Sequence, residues 1–88
     1  MEKTILITIK PFTLYQKGTI IDNEKVIKTF ELSMNKIEEN ILKLAENEDA
    51  FSIVISGPKV YTKGIQKKIE KEASLKNYNK NMLKIELL

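Results

Sequence analysis

The chain contains no cysteine and no histidine. The first absence removes disulfides, thiolate nucleophiles and Fe–S ligation together. The second removes the side chain most often used as a general base and as a metal ligand. Arginine is missing as well, because all fifteen basic residues are lysine. Without a planar guanidinium there is no bidentate fork for guanine, carboxylate or phosphate, only flexible point charges. Sequence-specific DNA readout is therefore disfavoured, whereas nonspecific electrostatic attraction stays open. No apolar run exceeds four residues, far short of the roughly 20 that span a bilayer. Met1-Glu2-Lys3 leads directly into strand-like alternation, so no signal peptide is expected and a cytoplasmic location is.

What is present describes a small globular domain. Of 88 residues, 42% are hydrophobic and 31% charged, with a net charge of +3. Such a composition folds rather than remaining disordered, and the length allows one domain over residues 1–88 with a single modest core. There is no internal repeat, linker or low-complexity tract. The thirteen isoleucines, seven asparagines and the choice of lysine over arginine fit AT-rich coding.

Thr4 to Lys10 is β-branched and alternating, with Ile5, Ile7 and Ile9 on one face. Pro11 ends or bulges that strand. A second strand is expected at about Leu14 to Ile21. The turn-forming cluster Asp22-Asn23-Glu24-Lys25 then makes a hairpin with a third strand over Val26 to Leu32. Ser33 reads as an N-cap for a helix from Met34 to about Asn47, whose apolar stripe is Met34, Ile37, Ile41, Leu44 and Ala45. Phe51 to Ser56 reads as a central strand covered on both faces. Gly57 breaks it, and Pro58 suits the first position of a second helix running to Ala73 or Leu75. Tyr61, Ile65, Ile69 and Ala73 form its expected buried stripe. Asn77 to Asn81 reads as a polar loop and Met82 to Leu88 as a final strand, the candidate sheet edge for pairing into a homodimer. The expected fold is thus α/β: a single mixed sheet, order β-β-β-α-β-α-β, with two helices packed on five strands.

That order resembles the ribonuclease H-like fold, including the half-domain of actin-like ATPases. Ile53-Val54-Ile55-Ser56-Gly57-Pro58, followed by Tyr61, is similar to the strand-to-helix turn of actin-like proteins. The resemblance implies a metal-binding carboxylate on the first strand, a glutamate on the first helix and an aspartate after the fourth strand. Here Thr4 to Lys10 holds no carboxylate, Glu38 or Glu39 matches the helix position, and Ser56-Gly57 stands in place of the aspartate. The Asp-x-Gly phosphate loop of the actin-like branch is also absent. The implied fold therefore comes without the family's active site.

Few residue sets can carry chemistry. The two aspartates, Asp22 and Asp49, fall in a turn and a loop, where their type is explained by turn preference, so no metal site is expected. Ser56-Gly57-Pro58-Lys59 spells the Ser-x-x-Lys of serine acyl-enzymes, but the serine ends a strand and a proline intervenes. No catalytic residue and no cofactor is expected, and the chain is not read as an enzyme. Ser56, Lys59, Thr62 and Lys63 form a candidate anion site at a helix start, although Pro58 removes one N–H donor. Lys59, Lys63, Lys67 and Lys71, spaced by four, make a basic stripe on the second helix. The span Lys59 to Lys76 holds six lysines against two glutamates, and Ser33 to Asp49 two lysines against five acids, so the helices carry +4 and −3. Among the aromatics, Phe30, Phe51 and Tyr61 fit the core, while Phe12, Tyr15 and Tyr78 lie in loops as candidate interface anchors.

The leading expectation is a small intracellular binding module acting through a protein–protein surface. Its size and AT-rich bias suggest an inhibitor or accessory factor of a phage or mobile element. The alternative is a nonspecific nucleic-acid-binding protein using the lysine stripe.

Overall fold

The computed structural model describes residues 3–76 and 83–88. The elements follow the expected order: β1 (Lys3–Thr8), β2 (Tyr15–Asp22), β3 (Lys25–Ser33), α1 (Ile37–Glu48), β4 (Ala50–Ser56), α2 (Lys59–Leu75) and β5 (Lys84–Leu87). They build one mixed five-stranded sheet in the order β3-β2-β1-β4-β5. The meander β1-β2-β3 is antiparallel, and β4 and β5 join β1 in parallel. Because β3 runs parallel to β4, the crossovers β3-α1-β4 and β4-α2-β5 step the same way across the sheet. Right-handed connections then place both helices on one face, where they pack on each other and on the sheet.

The core lies between those layers. Ile5, Ile7, Ile20, Ile53 and Ile55 face Ile41, Leu42 and Ala45 of α1 and Ile65, Ile69 and Ala73 of α2, all buried. The alternate residues of the central strands, Thr4, Leu6, Ser52 and Val54, are only partly covered. The expectation that β4 is covered on both faces is therefore corrected: a sheet with both crossovers on one side leaves its other face open. Gly18 allows the sheet to close over Phe30. A Cβ there would meet Leu6 O and stand 2.5 Å from Phe30 Cζ, so the aromatic ring fills the space above the glycine.

Three local boundaries shift. Ser33 ends β3 instead of capping α1, and its Oγ accepts the Asn35 N–H at 3.2 Å. The helix starts at Ile37 after Lys36, which holds a left-handed φ of 58° and gives no side-chain cap. Pro58 is the N-cap of α2, not its first residue, since its ψ of 129° is extended. Its carbonyl still receives the Tyr61 and Thr62 N–H groups, both at 3.0 Å. One step of rotation also replaces Tyr61 by Thr62 in the buried stripe, leaving Tyr61 38% exposed.

The β2–β3 hairpin turns on Asn23 and Glu24 with φ of 53° and 64°, the two positive values of a type I′ turn. Glu48, at the end of α1, bridges Lys28 at 3.1 Å and Lys3 at 3.6 Å, tying the helix to β3 and β1. The hydrogen bond from Lys28 holds the Glu48 carboxyl below its ordinary pKa against the opposing effect of desolvation. The expected edge within Met82–Leu88 is β5, where Gln66 Nε2 of α2 donates to Ile85 O at 3.2 Å. The opposite edge, β3, carries a bulge opposite Ile20 and Ile21.

Candidate interaction surface

The loop between β1 and β2 carries the one apolar side chain that holds a positive φ among the described residues. Lys10-Pro11-Phe12-Thr13 makes the turn, with Pro11 at its second position and Phe12 at its third with a φ of 66°. Proline followed by a positive φ is the type II arrangement, which normally places glycine or asparagine where Phe12 stands. A bulky side chain in that region costs on the order of 1 kcal/mol or more. Phe12 recovers none of that through burial, because it is 99% exposed.

The loop is nevertheless held. Gln16, 1% exposed, accepts the Lys10 N–H on Oε1 at 2.7 Å and donates from Nε2 to Lys10 O at 2.9 Å. One amide thus satisfies both backbone groups of Lys10, as a neighbouring strand would. Nε2 also donates to Thr13 Oγ1 at 3.0 Å, and that hydroxyl donates to Lys10 O at 2.7 Å. On the far side the Met34 N–H reaches Leu14 O at 2.8 Å. The backbone is pinned on both sides of Phe12, while Phe12, Leu14 and Tyr15 face solvent.

Beside the loop, the open sheet face forms a shallow concavity of about 980 Å³. Leu6, Thr8, Tyr15, Lys17, Thr19 and Thr29 are among the residues that line it. Lys10, Glu31 and Phe30 border it as well, so it mixes hydroxyl, aromatic and charged side chains of both signs.

The other candidates are dispersed. Thr62 is fully buried beneath Gly57 with its Oγ1 unpartnered among the described residues, whereas Ser56 is half-buried and Lys59 and Lys63 are exposed. These four side chains therefore do not share one solvent surface. Lys59, Lys63, Lys67 and Lys71 are all exposed, and none forms an ion pair among the described residues. Lys71 borders a groove of about 230 Å³ with Lys36, Lys68, Glu38, Glu39 and Glu72, so the far end of the stripe lies beside the acids of α1. Tyr78 lies outside the described residues. Among the described residues no three acidic side chains gather as a metal site, and no helix is long and apolar enough to cross a membrane.

Sequence reasoning selected Phe12 and Tyr15 but missed Leu14 and Gln16. The signal for Gln16 was available. It falls in phase with Gly18 and Ile20, hence on the buried face of β2, where a polar residue needs partners. No family model, curated protein or solved structure matches the chain.

Proposed function

We propose that the chain is a non-enzymatic binding module that inserts the Phe12 side chain into an apolar recess of a protein partner. The observation carrying this reading is a fully exposed phenylalanine in left-handed backbone, on a loop pinned by a buried glutamine. Strain retained at an exposed aromatic serves no folding purpose. A pre-ordered loop, by contrast, lowers the entropic cost of binding. Phenylalanine is among the side chains enriched at the cores of protein interfaces.

The decisive variant is Phe12→Gly. Glycine adopts the positive φ freely, so the fold should gain roughly 0.5–1 kcal/mol while partner capture falls. Wild type and variant are immobilised, exposed to host extract, and their retained proteins identified by mass spectrometry. A protein held by the wild type and lost by Phe12→Gly supports the reading; identical retained sets refute it.

A second reading rests on the exposure of Lys59, Lys63, Lys67 and Lys71. Nonspecific nucleic-acid retention through them would weaken steeply with salt. It should also fall when all four become glutamine, with little change in stability.

A further inference from the structure

Of the nine large apolar side chains exposed among the described residues, Val26 and Ile27 at the start of β3 and Leu75 at the end of α2 lie elsewhere, and six gather at one end. Phe12, Leu14, Tyr15, Val60, Tyr61 and Leu88 are exposed by 99, 81, 57, 82, 38 and 67%. All six lie at the end of the sheet where β1, β4 and β5 finish. Three contacts place them there. The Ile9 N–H extends β1 onto Ser56 O at 2.7 Å, and the Leu88 N–H reaches Ile55 O at 2.9 Å. A Cβ on Gly57 would lie 2.7 Å from Ile9 O, so the start of α2 abuts the end of β1. The residues leading into α2 and into the β1–β2 loop therefore touch, which puts both at the same end of the sheet.

The same end is basic. Lys10 opens the loop, and Lys59 and Lys63 occupy the first turns of α2. All three are exposed and without an ion pair among the described residues. Lys17 is different, because Glu31 sits opposite it on β3. The lysine stripe thus divides: Lys59 and Lys63 belong to the apolar end, while Lys71 lies in the groove against α1.

We propose that the whole strand-end surface, Phe12, Leu14 and Val60 together with Lys10, Lys59 and Lys63, docks an apolar recess rimmed by carboxylates on a protein partner. This rests on the reading that Phe12 is the anchor, and it adds a second element and the partner's charge. An apolar centre with a charged rim is the usual anatomy of a specific interface, and unpaired rim lysines call for acidic counterparts. A protein is favoured over an anionic bilayer because the loop is pinned in one conformation, which shaped recognition requires and insertion into fluid lipid does not.

The test uses a protein whose capture depends on Phe12, titrated against wild type, Val60→Ser and the double variant Lys59→Glu/Lys63→Glu. Val60→Ser should weaken binding about tenfold. The charge reversal should weaken it at least tenfold at low salt, and the loss should shrink as salt rises. Lys71→Glu is the control and should change affinity less than threefold. Binding that requires Phe12 but ignores Val60 and both lysines overturns the inference and leaves the anchor reading standing. If no protein depends on Phe12, both fail. Comparable retention of the wild type on vesicles containing phosphatidylserine, lost with Lys59→Glu/Lys63→Glu, would assign the surface to lipid and overturn the proposal.

Discussion

Replacing Gln16 by leucine is the sharpest perturbation of the loop, because it removes polar contacts at nearly constant volume. The wild-type amide satisfies the Lys10 N–H at 2.7 Å and Lys10 O at 2.9 Å. A partly buried backbone group left without its partner costs about 1–3 kcal/mol. The Lys10 side chain is exposed, so water reaches this backbone in part, and the Thr13 hydroxyl still serves Lys10 O at 2.7 Å. Only the N–H is then left without a partner, and at the lower part of the range its loss comes to about 1 kcal/mol. In a domain of this size that corresponds to a fall in Tm of roughly 4–8 °C. Urea denaturation measures the stability, and amide exchange at Lys10 measures the local opening. The Lys10 amide should lose its protection well before those of Ile5 and Ile53 in the central strands. Partner capture should weaken although Phe12 is untouched, since a loosened loop must then be ordered on binding. Stability within 0.5 kcal/mol of wild type, with Lys10 still protected, would refute the claim that Gln16 holds the loop.

Three further outcomes test other parts of the account. Ile41→Ala and Ile55→Ala, each at a fully buried position, should cost about 2–5 kcal/mol in chemical denaturation; an unchanged midpoint would remove the packing between α1 and the sheet. Glu24→Gly should stabilise the hairpin by roughly 0.5–1 kcal/mol, because Glu24 holds a φ of 64° in a turn that favours glycine there. The Glu48 carboxyl is held below its ordinary pKa by Lys28, so its stabilisation is present above the unfolded value of about 4.3 and is lost as pH falls through the lower folded value. Denaturation of Glu48→Gln across that window should show a shallower loss of stability towards acid than the wild type, and parallel curves would rule out this linkage.

Much of the architecture was legible in the residues themselves. Alternating Ile5, Ile7 and Ile9 and the near-continuous Ile53-Val54-Ile55 are strand patterns, and Ile37, Ile41 and Ala45 recur at helical period. With short connections and right-handed crossovers, that order of elements leaves few sheet arrangements. The errors lie where one residue of rotation or one peptide decides. Ser33 satisfies the capping pattern, yet β3 retains it, because pairing with Tyr15 on β2 extends the strand through it. Tyr61 and Thr62 are neighbours on α2, and only packing against the sheet selects Thr62 for burial.

The candidate surface divides in the same way. Composition alone excluded thiol and imidazole chemistry, and local pattern placed Phe12 in a loop and four lysines along one helix face, whereas Tyr15, expected in a loop, opens β2 opposite Ser33. Tertiary structure decided that Phe12 stands exposed in left-handed backbone, because the clamp comes from Gln16 on the following strand and the backstop from Met34 beyond the third. It also decided that residues near positions 12, 60 and 88 share one end of the molecule. They are far apart in sequence, and they come to the same end because β1, β4 and β5 run parallel and finish there.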